Sequence, residues 1–338
     1  NKNNHIQTRK SYKSFSEELS HEMEKFSFSP TWVNQLMEID NLLREEMPKL
    51  IGSKVERVRD DLPDDGWLDT SRFTRIHKLR AEGGMAVAHL AKDRGTGEQV
   101  IWKQAAPHRK LSTKEANAAL ANEIEVLAKL EHPRAPGFVA SGHVEDDDGE
   151  RVLVLVMEHI EGTSLDAEMK TFIGRGMRQG LDHAVGTVLQ CCEALEHMAD
   201  LDPPLYHRDI KPHNIITHPS RGAVLIDFGL AKEVKAGSGK SLSAGAHTVG
   251  WCPPEREVAD TGPYTDVYSL GQVLRHMLTN EPATIYSKDQ HVKAITDAGH
   301  PEWLAELIHR ATIPVPVGNR IQTVAEFRIR LENEGELP

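Results

Sequence analysis

Two polar motifs in the middle of the chain constrain its fold more than any other feature. Residues 206–214 have the sequence YHRDIKPHN, and the triplet DFG follows at 227–229. Transfer of a phosphoryl group needs a carboxylate that orients the attacking hydroxyl and a few oxygen ligands that hold Mg²⁺ on the phosphates. Asp209 can supply the first, and Asn214 with Asp227 the second. Either motif alone is weak evidence, but both in this order predict a phosphotransferase site.

The composition is that of an ordinary globular chain. Its 338 residues are 39% hydrophobic and 27% charged, which is enough for a buried core spread over two lobes. The formal net charge of −11 argues against nucleic acid or an anionic membrane as a partner, because both favour clustered Lys and Arg. The longest apolar stretch, residues 152–157, has the length of a strand, so no membrane span is predicted.

The N-terminus and the cysteines bear on the compartment. The sequence begins Asn-Lys-Asn-Asn without an initiator Met or a secretory leader, which predicts a cut or processed end. Cys191, Cys192 and Cys252 are the three cysteines, and so few of them indicate a reducing compartment. We interpret the vicinal pair as two small buried hydrophobes rather than a metal or redox site.

Residues 1–70 show helical patterning. Apolar side chains recur at steps of three and four residues, first at Phe15, Leu19, Met23 and Phe26, as on one face of a helix. The segment is either a helical cap on the domain that follows or a docking element for a regulatory partner, and the sequence leaves both open.

The rest of the chain divides into a strand-rich part and a helical part. Short β-type runs at 87–91, 99–102 and 151–157 flank a good helix former at 115–130. From Gly162 onward, apolar residues at helical spacing predict helices over 182–199, 266–279, 302–311 and 323–331.

The motifs and this order of elements resemble the serine/threonine protein kinases of the eukaryotic-like (Hanks) type, particularly their bacterial members. The resemblance covers roughly residues 75–332. It implies an α+β, two-lobed protein kinase fold with a β-rich N-lobe at 71–160, a mainly helical C-lobe at 161–338 and a helical extension at 1–70. It also implies ATP as the phosphoryl donor, Mg²⁺ as the metal and a protein as the substrate.

The resemblance assigns roles to the motif residues. It implies that Asp209 accepts or orients the substrate hydroxyl proton, that Lys211 stabilises the transferring phosphate, and that Asn214 and Asp227 bind Mg²⁺. A lysine at the position of Lys211 is typical of Ser/Thr specificity. The structural residues of this region are His207, which braces the loop, and Phe228, which packs under the N-lobe helix.

The phosphate side of the nucleotide site is implied by two further segments. Residues 81–88, AEGGMAVA, stand where the family has its glycine-rich loop; Gly83 is retained, Gly84 is added, and Ala88 replaces the usual Val. Lys103 is similar to the strand lysine that holds the α- and β-phosphates. Glu123 stands where the family has the helix glutamate that pairs with it, and Glu125, the near competitor, faces away from the apolar side of the helix.

The adenine side is implied by residues 156–162, which resemble the hinge between lobes. There the adenine bonds to main-chain groups of Glu158 and Ile160, with Met157 at the back of the pocket. Ser164 stands where some relatives carry a ribose-binding acid.

Residues after the DFG triplet point to a protein substrate rather than a metabolite. The segment 248–255, TVGWCPPE, resembles the family's peptide-binding segment, and there Thr248 contacts the catalytic loop. Glu255 is expected to pair with Arg320. Asp266 matches the helix aspartate that braces the catalytic loop.

Regulation is expected to involve the stretch 235–246. In such kinases a phosphate on this segment pairs with the arginine that Arg208 matches. The alternative is a solvated loop without a regulatory role. The candidate phosphosites are Ser238, Ser241 and Ser243; Thr248 is a weaker one.

The sequence therefore predicts an ATP- and Mg²⁺-dependent serine/threonine protein kinase that autophosphorylates its activation segment. The alternative is a pseudokinase or scaffold that binds nucleotide and partners without catalysis, which only the altered glycine-rich loop favours. The expected location is cytoplasmic, in a bacterium or in a host cell that receives a secreted effector.

Overall fold

The structure is a computed structural model that describes residues 66–79, 86–106, 112–233, 250–254, 262–314 and 316–334. The chain divides into two compact units, Asn1–Asp61 and Leu62–Pro338. The predicted helices of residues 1–65 lie outside the described residues, so their role as a cap or a docking element stays a prediction. All that follows concerns the second unit.

A five-stranded antiparallel sheet forms the N-lobe, with the strand order β1-β2-β3-β5-β4. The three predicted β-type runs lie within β2, β3 and β5. The strands are β1 (Phe73–Lys78), β2 (Ala86–Asp93), β3 (Gln99–Ala105), β4 (Phe138–Glu145) and β5 (Arg151–Glu158).

Strands β1 and β4 carry weak sequence signals and were not predicted. β1 is an edge strand in which only Phe73 is buried, so its side chains show no apolar alternation. β4 contains Gly142, where a Cβ would lie 2.8 Å from the backbone nitrogen of Leu68. Glycine there permits the segment before β1 to lie directly on β4.

One helix, α1 (Thr113–Lys129), packs on this sheet. It begins with a capping box in which the Ser112 hydroxyl accepts from the Glu115 amide and the Glu115 carboxylate accepts from the Ser112 amide. Such a box satisfies two amides that the first turn leaves unpaired. Its buried face contains Leu120, Val126 and Leu127, and also the carboxylate of Glu123.

The C-lobe is mainly helical and is built around helix α4 (Pro263–Thr279), whose side chains are buried along nearly its whole length. Pro263 occupies the first turn of α4 and Asn280 ends it at φ 62°, a left-handed position that Asn tolerates. The helices are α2 (Leu165–Gly174), α3 (Leu181–Ala199), α4 (Pro263–Thr279), α5 (Lys288–Asp297), α6 (Glu302–Ala311) and α7 (Val324–Glu332).

Two small sheets flank the segments that carry the two polar motifs. Strands β6 (Thr163–Ser164), β8 (Ile215–His218) and β9 (Gly222–Leu225) form one sheet, and β7 (Leu205–Tyr206) pairs with β10 (Lys232–Glu233) in another. The predicted two-lobed α+β fold is thereby confirmed for the described part of the chain. No helix in that part is long and apolar enough to cross a membrane.

Candidate active site

A buried aspartate, Asp266, binds the backbone of the loop that follows β7. The Asp266 carboxylate, on α4, accepts from the amide of His207 at 2.9 Å and from the amide of Arg208 at 2.7 Å. Burial raises the pKa of Asp266, and the two amide donors oppose that rise. Arg208 itself has φ 66°, a conformation that a non-glycine residue holds only where its surroundings enforce it. Asp266 thus fixes the backbone on which the catalytic loop is built.

Asp209 lies next to a cation and an amide. Its Oδ2 accepts from Lys211 Nζ at 2.9 Å and from Asn214 Nδ2 at 2.9 Å. The Asp209 amide donates to His207 Nδ1 at 3.3 Å. A short 3₁₀ helix, Pro212–Asn214, returns Asn214 toward Asp209. The loop therefore presents a carboxylate whose direction is set by two neighbouring side chains, while His207 holds the backbone amide of the same residue.

Lys103 bridges two carboxylates that come from different parts of the chain. Its Nζ lies 2.7 Å from Glu123 Oε2 on α1 and 2.9 Å from Asp227 Oδ1, just after β9. Burial opposes the charge on Lys103, but these carboxylates outweigh it and raise the pKa of Lys103. The ammonium in turn lowers the pKa of Asp227. Glu125 is exposed, so Glu123 is the glutamate of α1 that reaches this lysine.

Phe228, the residue after Asp227, packs against His207. Phe228 is fully buried, and its ring centroid lies 4.9 Å from that of His207. The preceding Asp227 has φ 65°, so its backbone is also held in the left-handed region.

Asn122 also belongs to this region, and sequence reasoning did not identify it. Its Nδ2 donates to the carbonyl of Ala231 at 2.8 Å, which connects α1 to the segment after Phe228.

The residues assigned to the hinge begin in the last part of strand β5. Met157 pairs with Ile101 in the sheet and is 8% exposed. The Glu158 amide donates to the carbonyl of Gly137 at 2.8 Å. Ile160 is buried, and the Ser164 hydroxyl caps α2 by accepting from the Ala167 amide at 3.3 Å. Ser164 therefore has a structural partner in addition to the ribose-side role predicted for it.

The glycine-rich loop is described only at its end. Gly83 and Gly84 lie outside the described residues, so their contact with phosphate stays a prediction. Ala88 pairs with Lys103 across β2 and β3. The methyl group of Ala88 is therefore the cross-strand neighbour of the Lys103 side chain.

Between Glu233 and the residue before α4, the structure describes only residues 250–254. Gly250 has φ 94°, and a Cβ there would lie 2.3 Å from the carbonyl of Ala283, so this turn requires glycine. The Trp251 ring packs edge-on against His276 at 5.4 Å. The predicted phosphosites and the partner of Arg320 lie outside the described residues: Ser238, Ser241, Ser243, Thr248 and Glu255.

Arg320, the predicted partner of Glu255, is buried against the start of α4. It is 2% exposed and donates to the carbonyls of Ile313 at 2.7 Å and Tyr264 at 3.2 Å. Its guanidinium also lies 5.0 Å from the ring centroid of Tyr268. These contacts fix the arginine at the start of α4, near Asp266.

Comparison with known proteins places this geometry in a family. A model of the protein kinase domain matches residues 75–316. The chain belongs to the protein kinase family.

The chain is similar to several bacterial serine/threonine-protein kinases. It is 29% identical over 283 residues to PknB of Mycolicibacterium smegmatis, which covers 76% of this chain and 42% of PknB. It is 28% identical over 266 residues to kinase F of Synechocystis sp., covering 71% of this chain and 51% of that kinase. With PknA of Mycobacterium tuberculosis it shares 32% identity over 202 residues, or 59% and 45% of the two chains. The chain thus spans about half the length of these relatives.

Proposed function

We propose that this protein is a serine/threonine protein kinase that transfers the γ-phosphate of ATP to hydroxyl groups of proteins, including its own activation segment. The observation that carries the proposal is the Lys103 bridge, in which one ammonium contacts both Glu123 and Asp227. This contact draws a sheet strand, the N-lobe helix and the DFG triplet to one point. A scaffold that binds partners without catalysis does not need that arrangement.

The reaction assigned to the site is an in-line displacement at phosphorus. The substrate Ser or Thr oxygen forms a bond to the γ-phosphorus while the bond from that phosphorus to the ADP oxygen breaks. Asp209 orients the hydroxyl and accepts its proton, a contribution of ~10²–10⁴-fold in rate. Lys211, 2.9 Å from Asp209 Oδ2, stabilises charge on the transferring phosphoryl group. Lys103 holds the remaining phosphates.

Mg²⁺ is the metal that the donor set fits. Asp227 offers a carboxylate that is 44% exposed, and Asn214 offers its amide oxygen because its NH₂ is directed at Asp209. Two hard oxygen ligands completed by water and phosphate are typical of protein Mg²⁺ sites. When bound, Mg²⁺ neutralises phosphate charge. The lowered pKa of Asp227 keeps that ligand ionised.

The setting proposed for this activity is a reducing cytoplasm, bacterial or host. Cys191 and Cys192 support it, since both are buried and neither forms a disulfide. A regulatory partner for residues 1–70 remains a proposal without described contacts.

The test is phosphate transfer by the purified chain, with Mg²⁺, labelled ATP and a generic Ser/Thr acceptor, beside the Asp209→Ala variant. Incorporation that disappears in the variant while its thermal unfolding midpoint is retained supports the proposal, and mass spectrometry maps the sites. ATP binding without incorporation in the wild-type chain would refute it in favour of a pseudokinase.

A further inference from the structure

Arg221 lies at the turn between β8 and β9 and reaches two separate parts of the lobe boundary. Its Nε and Nη2 donate to the carbonyl of Pro133 at 2.9 and 2.6 Å, and Nη2 also donates to the carbonyl of Ala135 at 3.1 Å. Its Nη1 donates to Glu158 Oε1 at 2.7 Å. One C-lobe side chain therefore contacts both the loop between α1 and β4 and the last residue of β5.

Glu158 carries this contact on to the backbone. Its second oxygen, Oε2, accepts from the Gly137 amide at 2.9 Å, while its own amide donates to the Gly137 carbonyl at 2.8 Å. The ion pair is charge-assisted and partly buried, with exposed side-chain fractions of 24% for Arg221 and 29% for Glu158. Charge-assisted bonds of this kind are roughly twice as strong as neutral ones. The side chain and the main chain of Glu158 are thus fixed together.

Neighbouring contacts attach the same loop to the C-lobe without reaching Glu158. Arg134 Nε donates to Glu193 Oε2 at 2.9 Å, and the Leu225 amide donates to the Arg134 carbonyl at 2.8 Å. The ring of His132 stacks on that of His197 at 5.1 Å. Arg221 differs from these residues because it links the loop to the hinge, where the nucleotide is assigned.

We propose that Arg221 is a positioning residue for the nucleotide: by holding Glu158, it fixes the hinge main chain and sets the affinity for ATP rather than the rate of transfer. The inference rests on the proposed function, since that function requires ATP and the family resemblance places adenine on the Glu158 main chain. A planar guanidinium can serve the carboxylate and the two carbonyls at once. A lysine ammonium at the same place cannot, because it is a compact charge on a flexible stem.

The experiment compares Arg221→Ala, Arg221→Lys and, as the matched control, Arg134→Ala. Arg134 has the same chemistry and lies in the loop that Arg221 contacts, but it pairs with Glu193. The measurements are the Kd of the Mg²⁺ complex of ADP by calorimetry, the KM for ATP and kcat, and hydrogen exchange at the Gly137 amide. Arg221→Ala is expected to raise Kd and KM about tenfold, the factor that about 1.4 kcal/mol produces. It should also speed exchange at Gly137 and leave kcat within about twofold, as expected for lost uniform binding.

Arg221→Lys should give intermediate values, and it carries the test if the alanine variant fails to fold. In Glu158→Gln the loss of ADP affinity should be similar, and adding Arg221→Ala should weaken ADP binding little further, because both changes remove the same ion pair between Arg221 and Glu158. Equal Kd values for the Arg221→Ala and Arg134→Ala variants would overturn the inference, as would a fall in kcat at unchanged Kd. A wild-type chain that binds ADP but transfers no phosphate would refute the proposed function, while the Kd comparison would still decide the role of Arg221.

Discussion

At the scale of single residues, the site depends on buried charges that are paired across the fold. Glu123 and Asp266 are each 1% exposed, and each faces donors supplied by another element. Removing one member of such a set leaves the other buried without a partner, which costs more than the contact itself contributed. Substitutions here are therefore expected to affect function and stability to different extents.

Lys103→Met is expected to reduce kcat/KM for ATP by about 10²-fold or more, the scale on which loss of one preorganised electrostatic contact reduces turnover. The change removes the cation that faces both Glu123 and Asp227. Steady-state kinetics with a protein acceptor measure the reduction in kcat/KM. The matched control is Lys288→Met, since Lys288 is 58% exposed and pairs only with Glu306 among the contacts described for it. Similar activity in the two variants would contradict the role given to Lys103.

At the scale of elements, α1 joins the sheet to the catalytic segments through two asparagines. Asn117 Oδ1 accepts a hydrogen bond from the Leu153 amide at 2.8 Å, and Asn117 Nδ2 donates to the Arg151 carbonyl at 3.0 Å. These two bonds attach the helix to β5. Asn122 instead donates to the Ala231 carbonyl. The same residue type on one helix thus has a structural contact at one position and a contact with the DFG segment at the other.

Asn122→Ala is expected to lower kcat/KM about fivefold, the factor that corresponds to the about 1 kcal/mol of a typical hydrogen bond. Freed from the Ala231 carbonyl, α1 would hold Glu123 less firmly against Lys103. Asn117→Ala serves as the control and should lower the thermal unfolding midpoint while leaving kcat/KM nearly unchanged. Equal losses of activity in the two variants would show that α1 responds only to general destabilisation.

The elements also show how far sequence reasoning extends. Helix α6 was predicted with the bounds that the structure gives, because its apolar residues follow one face and Glu302 begins its first turn. Helix α5 escaped prediction because only His291 and Ile295 of its ten residues are buried. Helix α4 begins at Pro263 rather than at the predicted residue 266, since a proline suits the first turn of a helix.

The site residues also divide into those that the sequence identifies and those that it does not. Asp209, Asn214 and Asp227 lie in motifs whose spacing fixes them, so the sequence identifies them directly. Asn122 and Arg221 lie in no motif: one is a polar residue on an amphipathic helix and the other follows a turn. Their partners are backbone carbonyls of residues distant in sequence, and such contacts leave no pattern along the chain.

At the scale of the whole molecule, the described residues of the second unit share one hydrophobic core, which runs from the sheet through α1 into the C-lobe helices. Its members include Leu127 in the N-lobe, Phe228 between the lobes, and Cys191 and Cys192 on α3. A continuous core of this kind predicts that the second unit opens cooperatively, since no boundary of exposed surface divides its described part.

The vicinal cysteines report on that cooperativity. Cys191 and Cys192 are 1% and 0% exposed, and burial raises the pKa of Cys191 to about 12, so neither should react in the native state. In a Cys252→Ser variant, which removes the partly exposed thiol, iodoacetamide at pH 8 is expected to label neither residue without urea. Through the urea transition both should react at one common rate that follows the loss of circular dichroism. Labelling of either cysteine well before that transition would mean that α3 detaches locally and that the core is not a single cooperative unit.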